Sequence, residues 1–356
     1  MPKDRRSTHA GVARRLGIAI VSTDDLTIRR EGRPGAFRYR HANGRKVAAR
    51  RVAQVEKLVL PPAWADVAIA RRHDAHLQAV GRDGKDRVQY RYHDEWVHVR
   101  DAVKAERLIA FGRALGAIRD RVDKDLKLPV DDRRAVIATA VRLIDRQLLR
   151  VGSEEYAREG TRGASTLLRS NAKSRKGRLK LLYRAKSGKK VELAIKDRRL
   201  RRRLDRLRRK RGAGEGGRDD RLFAWTDDEG RTRALSARQI NLYLAAASGR
   251  GTRAPTVSAK DFRTFAGSAL ALELLLEARD AATPTARKRA ATAAVKAVAE
   301  RLRNTPAVAR ASYIHPAIME DHEKGALPGD LGGGPLRRNL DRSETTLMRY
   351  LEARFH

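Results

Sequence analysis

Residues 303–318 read RNTPAVARASYIHPAI and hold a single tyrosine, Tyr313, between a Thr-Pro helix start and a His-Pro break. The chain around it carries 80 lysines and arginines against 43 aspartates and glutamates, a net charge of +37. A phenol in such a chain can be a nucleophile toward a phosphodiester. The attacking atom is then a side-chain oxygen, and the pentacoordinate transition state gathers negative charge on the phosphoryl oxygens. Fixed cations stabilise that charge, and arginine suits the task because it stays protonated and offers a planar fork. The departing 5′ oxygen needs a proton, which a lysine can supply when other cations lower its pKa. A phenol ordinarily ionises near pH 10 and is helped by the same cations. Without a metal, the required set is two arginines, a lysine, a hydrogen-bond donor and a tyrosine.

Each candidate for this set has an ordinary reading when taken singly. Arg150 is a favourable charge at a helix end. Arg263, in KDFRTFAG, is a surface helix residue, and Lys186 is a solvated turn residue. Asn304 is a helix cap and Tyr313 a packed aromatic. Other chemistries leave weaker traces. There is no Walker-type glycine loop and no Asp/Glu cluster of the kind that holds Mg²⁺. Gly-x-Ser-x-Gly is absent. The chain has no cysteine, which removes disulfides, thiolate zinc sites and thiol catalysis together. His73 and His76 lack further ligands and read as surface residues.

The elements that must position these residues fall into two textures. The first is rich in short strands. FRYRHANGRKV (37–47) carries an Asn-Gly turn between alternating residues, a hairpin signal, and residues 65–93 repeat the style with a turn at Asp83-Gly84 before QYRYH. Trp64 follows a Pro-Pro pair that marks a loop. From about residue 100 the pattern is helical. Residues 131–150 present Val136, Ile137, Ala140, Val141, Ile144 and Leu148 on one face, with Asp131 suited to the start and Gly152 to a break. Residues 258–278 open with a Ser258-x-x-Asp261 capping box, 284–302 form an alanine-rich helix, and Thr305-Pro306 starts the short helix bearing Tyr313. One hairpin, 178–184 with 189–195, interrupts this half. The run 197–212 should be an amphipathic helix with Leu200, Leu204 and Leu207 inward and a basic outer face. Its phosphate contact and a merely solvated role are both open. Residues 211–220 read as a loop.

The expected organisation is α+β: a small β-rich unit over 1–100, a larger mainly helical unit over 101–325, and a linker with a short helix near 343–354 over 326–356. Hydrophobic residues make up 41% of the 356, enough for a core. A pI of about 11.3 calls for a polyanionic partner, nucleic acid above all. No apolar run reaches the roughly 18 residues of a membrane span. The N-terminus lacks the apolar core of a signal peptide, so the cytoplasm, with the genome, is the expected compartment.

Together LPPAWADVAIA (60–70), HLQAVGRDGKDRVQYRYH (76–93), LLRVGSEEYAREG (148–160), RAKSGKKVEL (184–193), KDFRTFAGS (260–268) and NTPAVARASYIHP (304–316) resemble the type IB DNA topoisomerases, in their bacterial and poxvirus-like branch. The motifs run in family order. The resemblance implies Arg150 and Arg263 as phosphate-clamping arginines, Lys186 as general acid to the 5′ oxygen and Tyr313 as nucleophile forming a 3′-phosphotyrosyl bond. Asn304 stands where poxvirus and eukaryotic members carry histidine. It can donate a hydrogen bond but cannot shuttle protons. Ala185 stands where glycine commonly precedes the lysine, which leaves Lys189 as the alternative acid. QYRYH matches a DNA-contacting strand, so Gln89, Tyr90, Arg91 and Tyr92, with Arg82 of the same motif, are expected at DNA. The family forms a C-shaped clamp on duplex DNA and relaxes supercoils without ATP or metal. The expected protein is therefore a monomer with double-stranded DNA as partner, no nucleotide or other cofactor and no membrane. A tyrosine recombinase would use similar residues, and a non-catalytic basic DNA-packaging protein would share the charge.

Overall fold

The structure, a computed structural model, describes residues 9–209, 221–249 and 257–355. The loop expected at 211–220 and the end of the basic run at 210–212 lie outside the described residues. The chain divides into two units, Met1–Glu106 and Arg107–His356.

The first unit holds α1 (His9–Arg15), β1 (Ile28–Glu31), β2 (Arg38–His41), α2 (Ala49–Glu56), β3 (Ala65–Ile69), β4 (Leu77–Arg82) and β5 (Val88–Tyr92). The strands form one antiparallel sheet in the order β2-β1-β3-β4-β5. Strand alternation sends Ile28, Val67, Ile69 and Ala79 to one face, where they pack with Val55 of α2. Gly81 lets Trp64 lie on the sheet, because a Cβ there would stand 2.8 Å from the indole. The Asp83-Gly84 turn joins β4 to β5, with Asp83 N–H bonded to Arg87 O at 3.0 Å. The Asn43-Gly44 turn also forms, with Gly44 at φ 80°. Its second arm, however, is one isolated bridge between Arg40 and Lys46. Ala48 already caps α2, so no length remains for a strand, and β2 pairs with β1 instead.

The division between units falls within α3 (Trp96–Asp125). The second unit continues with α4 (Arg133–Gln147), α5 (Glu154–Arg158), β6 (Ala172–Arg175), β7 (Arg178–Arg184), β8 (Lys190–Ala194), α6 (Arg198–Arg209), β9 (Ala224–Thr226), β10 (Thr232–Ala234), α7 (Ala237–Ala247), α8 (Ala259–Glu277), α9 (Pro284–Leu302), α10 (Pro306–Tyr313), α11 (Pro316–Glu323) and α12 (Arg342–Phe355). α8 is the central element; α4, α7, α9, α10, α11 and α12 all pack on it. Its start is fixed as expected, by the Asp261 carboxylate accepting from Ser258 N–H at 2.7 Å. β6 adds a third strand to the expected hairpin, in the order β6-β7-β8. The pair β9 and β10 is a second β element that the sequence pattern did not signal, since strands of three residues are too short for alternation to register. α12 buries Leu347, Met348, Tyr350 and Leu351, and Arg119 of α3 ties it in through Glu344 at 2.7 Å while also holding Asp145 of α4 at 2.8 Å. No helix among the described residues is long and apolar enough to cross a membrane.

Candidate active site

Two helix ends frame the site. α4 starts at Asp132, whose carboxylate accepts from Arg134 N–H at 2.7 Å and Ala135 N–H at 3.3 Å. It was expected to run to residue 150, but it ends earlier because Leu148 turns into the left-handed region at φ 55°. α9 ends the same way at Arg303, φ 56°. Each end leaves carbonyls without helical partners, carrying the negative end of the helix dipole. Arg263 of α8 reaches both: Nη1 donates to Leu148 O, and Nη2 donates to Leu302 O at 3.0 Å. Arg303 Nη1 donates to Gln147 O at 2.9 Å.

The Arg263 guanidinium is thus fixed by carbonyls. They orient the fork but carry no full charge to cancel it. The side chain is 3% exposed, and its Nε has no hydrogen-bond partner among the described residues. Its Cζ lies 4.7 Å from the centroid of the Tyr313 ring. Burial pushes the Tyr313 phenol up, but Arg263, by charge and hydrogen bond, with Arg150 and Lys260 behind it, outweighs burial. The net shift is downward from the ordinary phenol value.

Tyr313 is the last residue of α10 and is held through its backbone. Ser268 Oγ donates to Tyr313 O at 3.3 Å and accepts from His315 N–H at 3.0 Å. Gly267 makes the approach possible: a Cβ there would stand 2.7 Å from Tyr313 O. Arg263 and Gly267 are four residues apart on α8 and so share a face. One helical face therefore supplies both the cation over the ring and the gap for the backbone. The His-Pro pair does more than stop α10, since His315 Nδ1 accepts from Ala317 N–H at 3.3 Å and caps α11.

Arg150 lies beyond α4 in an irregular segment laid against residues 163–165. Ala164 N–H donates to Arg150 O at 2.8 Å, and Ser165 N–H to Val151 O at 2.8 Å. Gly163 permits this, because its Cβ would meet Arg150 O at 2.7 Å. Arg150 Nη2 donates to Asn304 Oδ1. The Asn304 amide therefore meets Arg150 with its acceptor, and its buried Nδ2 has no partner among the described residues.

Lys186 occupies a 3₁₀ turn, Lys186–Gly188, between β7 and β8, with its Nζ 4.9 Å from the centroid of the Tyr156 ring. Ala185 is extended at φ −89°, a conformation that needs no glycine. Arg150, Lys186, Arg263 and Tyr313 line one cleft of about 280 Å³; Lys189 does not line it, and neither does Asn304, whose link to the cleft is through Arg150. The cleft also holds Lys260, Tyr156 and Arg162, which the sequence alone did not single out. Lys260 was legible: three residues before Arg263 on a helix, it belongs to the same face.

The residues expected at DNA in the first unit lie on and beside β5. Tyr90 is 51% exposed, and its ring stacks on Tyr92 with centroids 6.2 Å apart. Tyr92 is half-buried against Trp96 and His76. Gln89 Nε2 donates to Asp83 at 2.8 Å. Arg91 pairs with Asp94 at 3.1 Å and Arg82 with Asp86 at 3.2 Å.

Comparison with known proteins gives the family to which this fold and its cationic cleft belong. A family model described as the catalytic core of eukaryotic DNA topoisomerase I matches residues 93–326, and one described as the N-terminal domain of bacterial DNA topoisomerase IB matches residues 36–83. The chain belongs to the type IB DNA topoisomerases, isomerases that act on DNA. It is 28% identical over 290 residues to DNA topoisomerase 1B of Acanthamoeba polyphaga mimivirus, covering 79% of this chain and 83% of the viral protein. The expected α+β class, an N-terminal sheet and a larger helical region, agrees with this family.

Proposed function

We propose that this protein relaxes supercoiled double-stranded DNA, as a monomer, through a covalent bond to Tyr313. The phenolate oxygen attacks the phosphorus. The P–O5′ bond breaks, a 3′-phosphotyrosyl bond forms, and Lys186 gives the leaving 5′ oxygen its proton. Arg263 and Arg150 meet the charge on the phosphoryl oxygens, and the Asn304 Nδ2 donor adds a hydrogen bond. Resealing is the reverse. The phosphotyrosyl ester keeps the energy of the broken diester, so no nucleotide is needed, and side-chain cations stand where a metal would otherwise serve. The DNA-facing strand β5, with Arg82, Gln89, Tyr90, Arg91 and Tyr92, holds the duplex. The observation that carries this reading is the Arg263 guanidinium 4.7 Å from the Tyr313 ring, fixed by carbonyls in a cleft shared with Arg150 and Lys186.

The test is denaturant trapping. Quenching with detergent during relaxation is expected to leave a covalent protein–DNA adduct, and Tyr313→Phe is expected to bind DNA normally while losing adduct and relaxation together. Relaxation should persist in excess EDTA without ATP. Relaxation retained by Tyr313→Phe would end the assignment.

A further inference from the structure

A second cavity, of about 20 Å³, adjoins the cleft and shares Arg150, Arg162 and Arg263 with it as walls. Arg303 and Tyr183 complete its polar lining. Tyr183 lies on β7 directly opposite Val191 of β8, which lines the same space. Arg303 is anchored by its bond to Gln147 O at 2.9 Å, and Arg162 by Nη1 donating to Ala157 O at 3.0 Å. Four arginines thus border one small space, and none of them has a carboxylate partner among the described residues. The charges of Arg303, Arg263 and Arg150 all reach the Tyr183 phenol.

Such a cluster calls for a counter-charge, because like charges repel and burial removes the water that screens them. The lining supplies none: no aspartate or glutamate borders the space. The Tyr183 phenol does not supply one either. Burial pushes it up further than Arg303, Arg263 and Arg150 pull it down, so it stays an O–H donor near neutral pH. Guanidiniums only donate, and Arg263 Nε, in a side chain 3% exposed, has no partner among the described residues. The guest that fits must accept several hydrogen bonds and bring negative charge. Water has two protons to place and brings no charge. The volume is that of about one small sphere, too little for a phosphodiester. We infer that this cavity binds one monatomic anion, chloride, and that the anion leaves when a DNA phosphate brings its own charge to Arg150 and Arg263. Only the exchange rests on the topoisomerase reading; the cavity stands apart from it.

The test uses the full chain, with gluconate, too large for the cavity, replacing chloride at constant ionic strength. Chloride is expected to raise the melting temperature of the DNA-free chain by about 2 °C along a saturating curve. Val191→Ile fills the space and keeps every charge, so it should abolish that rise. Tyr183→Phe withdraws one donor and should raise the chloride needed for half the rise about tenfold; it serves if Val191→Ile misfolds. Lys288→Gln with Arg289→Gln, exposed on α9, should leave the curve unchanged. By reciprocity, affinity for a short duplex, measured with Tyr313→Phe so that no adduct forms, should fall about tenfold per tenfold rise in chloride once the cavity is filled. Val191→Ile should lose that fall. Equal melting curves in gluconate and chloride would mean water only and would overturn the inference. So would a chloride response kept by both Val191→Ile and Tyr183→Phe, or lost in the α9 pair, since either is surface charge without a site. Chloride bound with no loss of duplex affinity would overturn the exchange. Failure of the parent chain to form any adduct would sink the topoisomerase mechanism but leave the melting curves to decide the cavity.

Discussion

The arginines of the cleft and those of β4, β5 and the turn between them are held in opposite ways. In the sheet, Arg87 pairs with Asp83 at 2.7 Å, Arg91 with Asp94 and Arg82 with Asp86. In the cleft, Arg263 is bonded to two backbone carbonyls, Arg162 to another and Arg150 to an amide oxygen. Both arrangements fix a guanidinium. A carboxylate also cancels its charge, whereas a carbonyl or amide leaves most of it for an incoming anion. The proposed chemistry needs a net cation, and at the cleft the guanidiniums are held by carbonyls near helix C-termini and by an asparagine, whereas beside β5 they are held by aspartates.

The largest effect should come from removing the cation over the phenol. Arg263→Ala is expected to slow single-turnover cleavage by about a thousandfold, the upper range for loss of one preorganised donor. It also leaves the Leu148 and Leu302 carbonyls unpaired, a stability loss of about 1–3 kcal/mol. Arg263→Lys separates the two effects, since it keeps charge but loses the fork. Because Arg263 is what overcomes burial to lower the Tyr313 phenol, its loss raises that pKa. The rise of cleavage rate with pH should therefore move to higher pH in Arg263→Ala. An unshifted profile would mean that the guanidinium does not tune the phenol.

Next in size is the insertion of a carboxylate where Arg150 has an amide. Asn304→Asp is nearly isosteric and keeps an acceptor for Arg150, yet it adds a charge and removes the Nδ2 donor. Cleavage should fall by about a hundredfold, in line with loss of one donor, with DNA affinity reduced as well. A variant as active as the parent would show that neutralising Arg150 is harmless, and the difference between cleft and sheet would lose its meaning.

Much of the fold was legible because its signals are local. Thr305-Pro306 and Ser258-x-x-Asp261 name helix starts by hydrogen-bond chemistry alone, and the tyrosine, two arginines and turn lysine that the motifs single out share one cleft. What escaped depends on long-range packing. That Leu148, a good helix former, would end α4 follows from tertiary demand for its carbonyl and not from propensity. Asn304 was expected as a donor to phosphate, and no spacing rule foretold that its oxygen meets Arg150, 154 positions away.

Gly267 is a similar case. Its need for a bare α-carbon comes from Tyr313 O, which lies on another helix. Gly267→Ala would force a carbonyl that cannot rotate away to shift by a few tenths of an ångström. Cleavage is expected to drop about tenfold, less than for a 1 Å misplacement. Resealing should drop alike and DNA binding stay unchanged, because the substitution moves the nucleophile and no cation. Loss of binding with intact chemistry would contradict this positioning role.

The smallest effect tests the sheet. Asp94 is 83% exposed and holds Arg91, itself 39% exposed, at 3.1 Å. An exposed pair contributes little to stability, so Asp94→Asn should leave the melting temperature nearly unchanged. It does release a guanidinium on a strand proposed to face DNA. Duplex affinity should rise by a few-fold at low salt, and the log–log salt slope should steepen by up to about 0.9 as Arg91 neutralises one more phosphate. The cleavage rate of bound DNA should not move, since Arg91 lies outside the cleft. Tighter binding of this kind is the mirror image of Asn304→Asp. One substitution takes a carboxylate away from an arginine and strengthens the hold on DNA; the other gives a carboxylate to an arginine and weakens chemistry. If affinity falls instead, Asp94 must orient Arg91 for its phosphate, and in the sheet orientation would then outweigh the loss of charge.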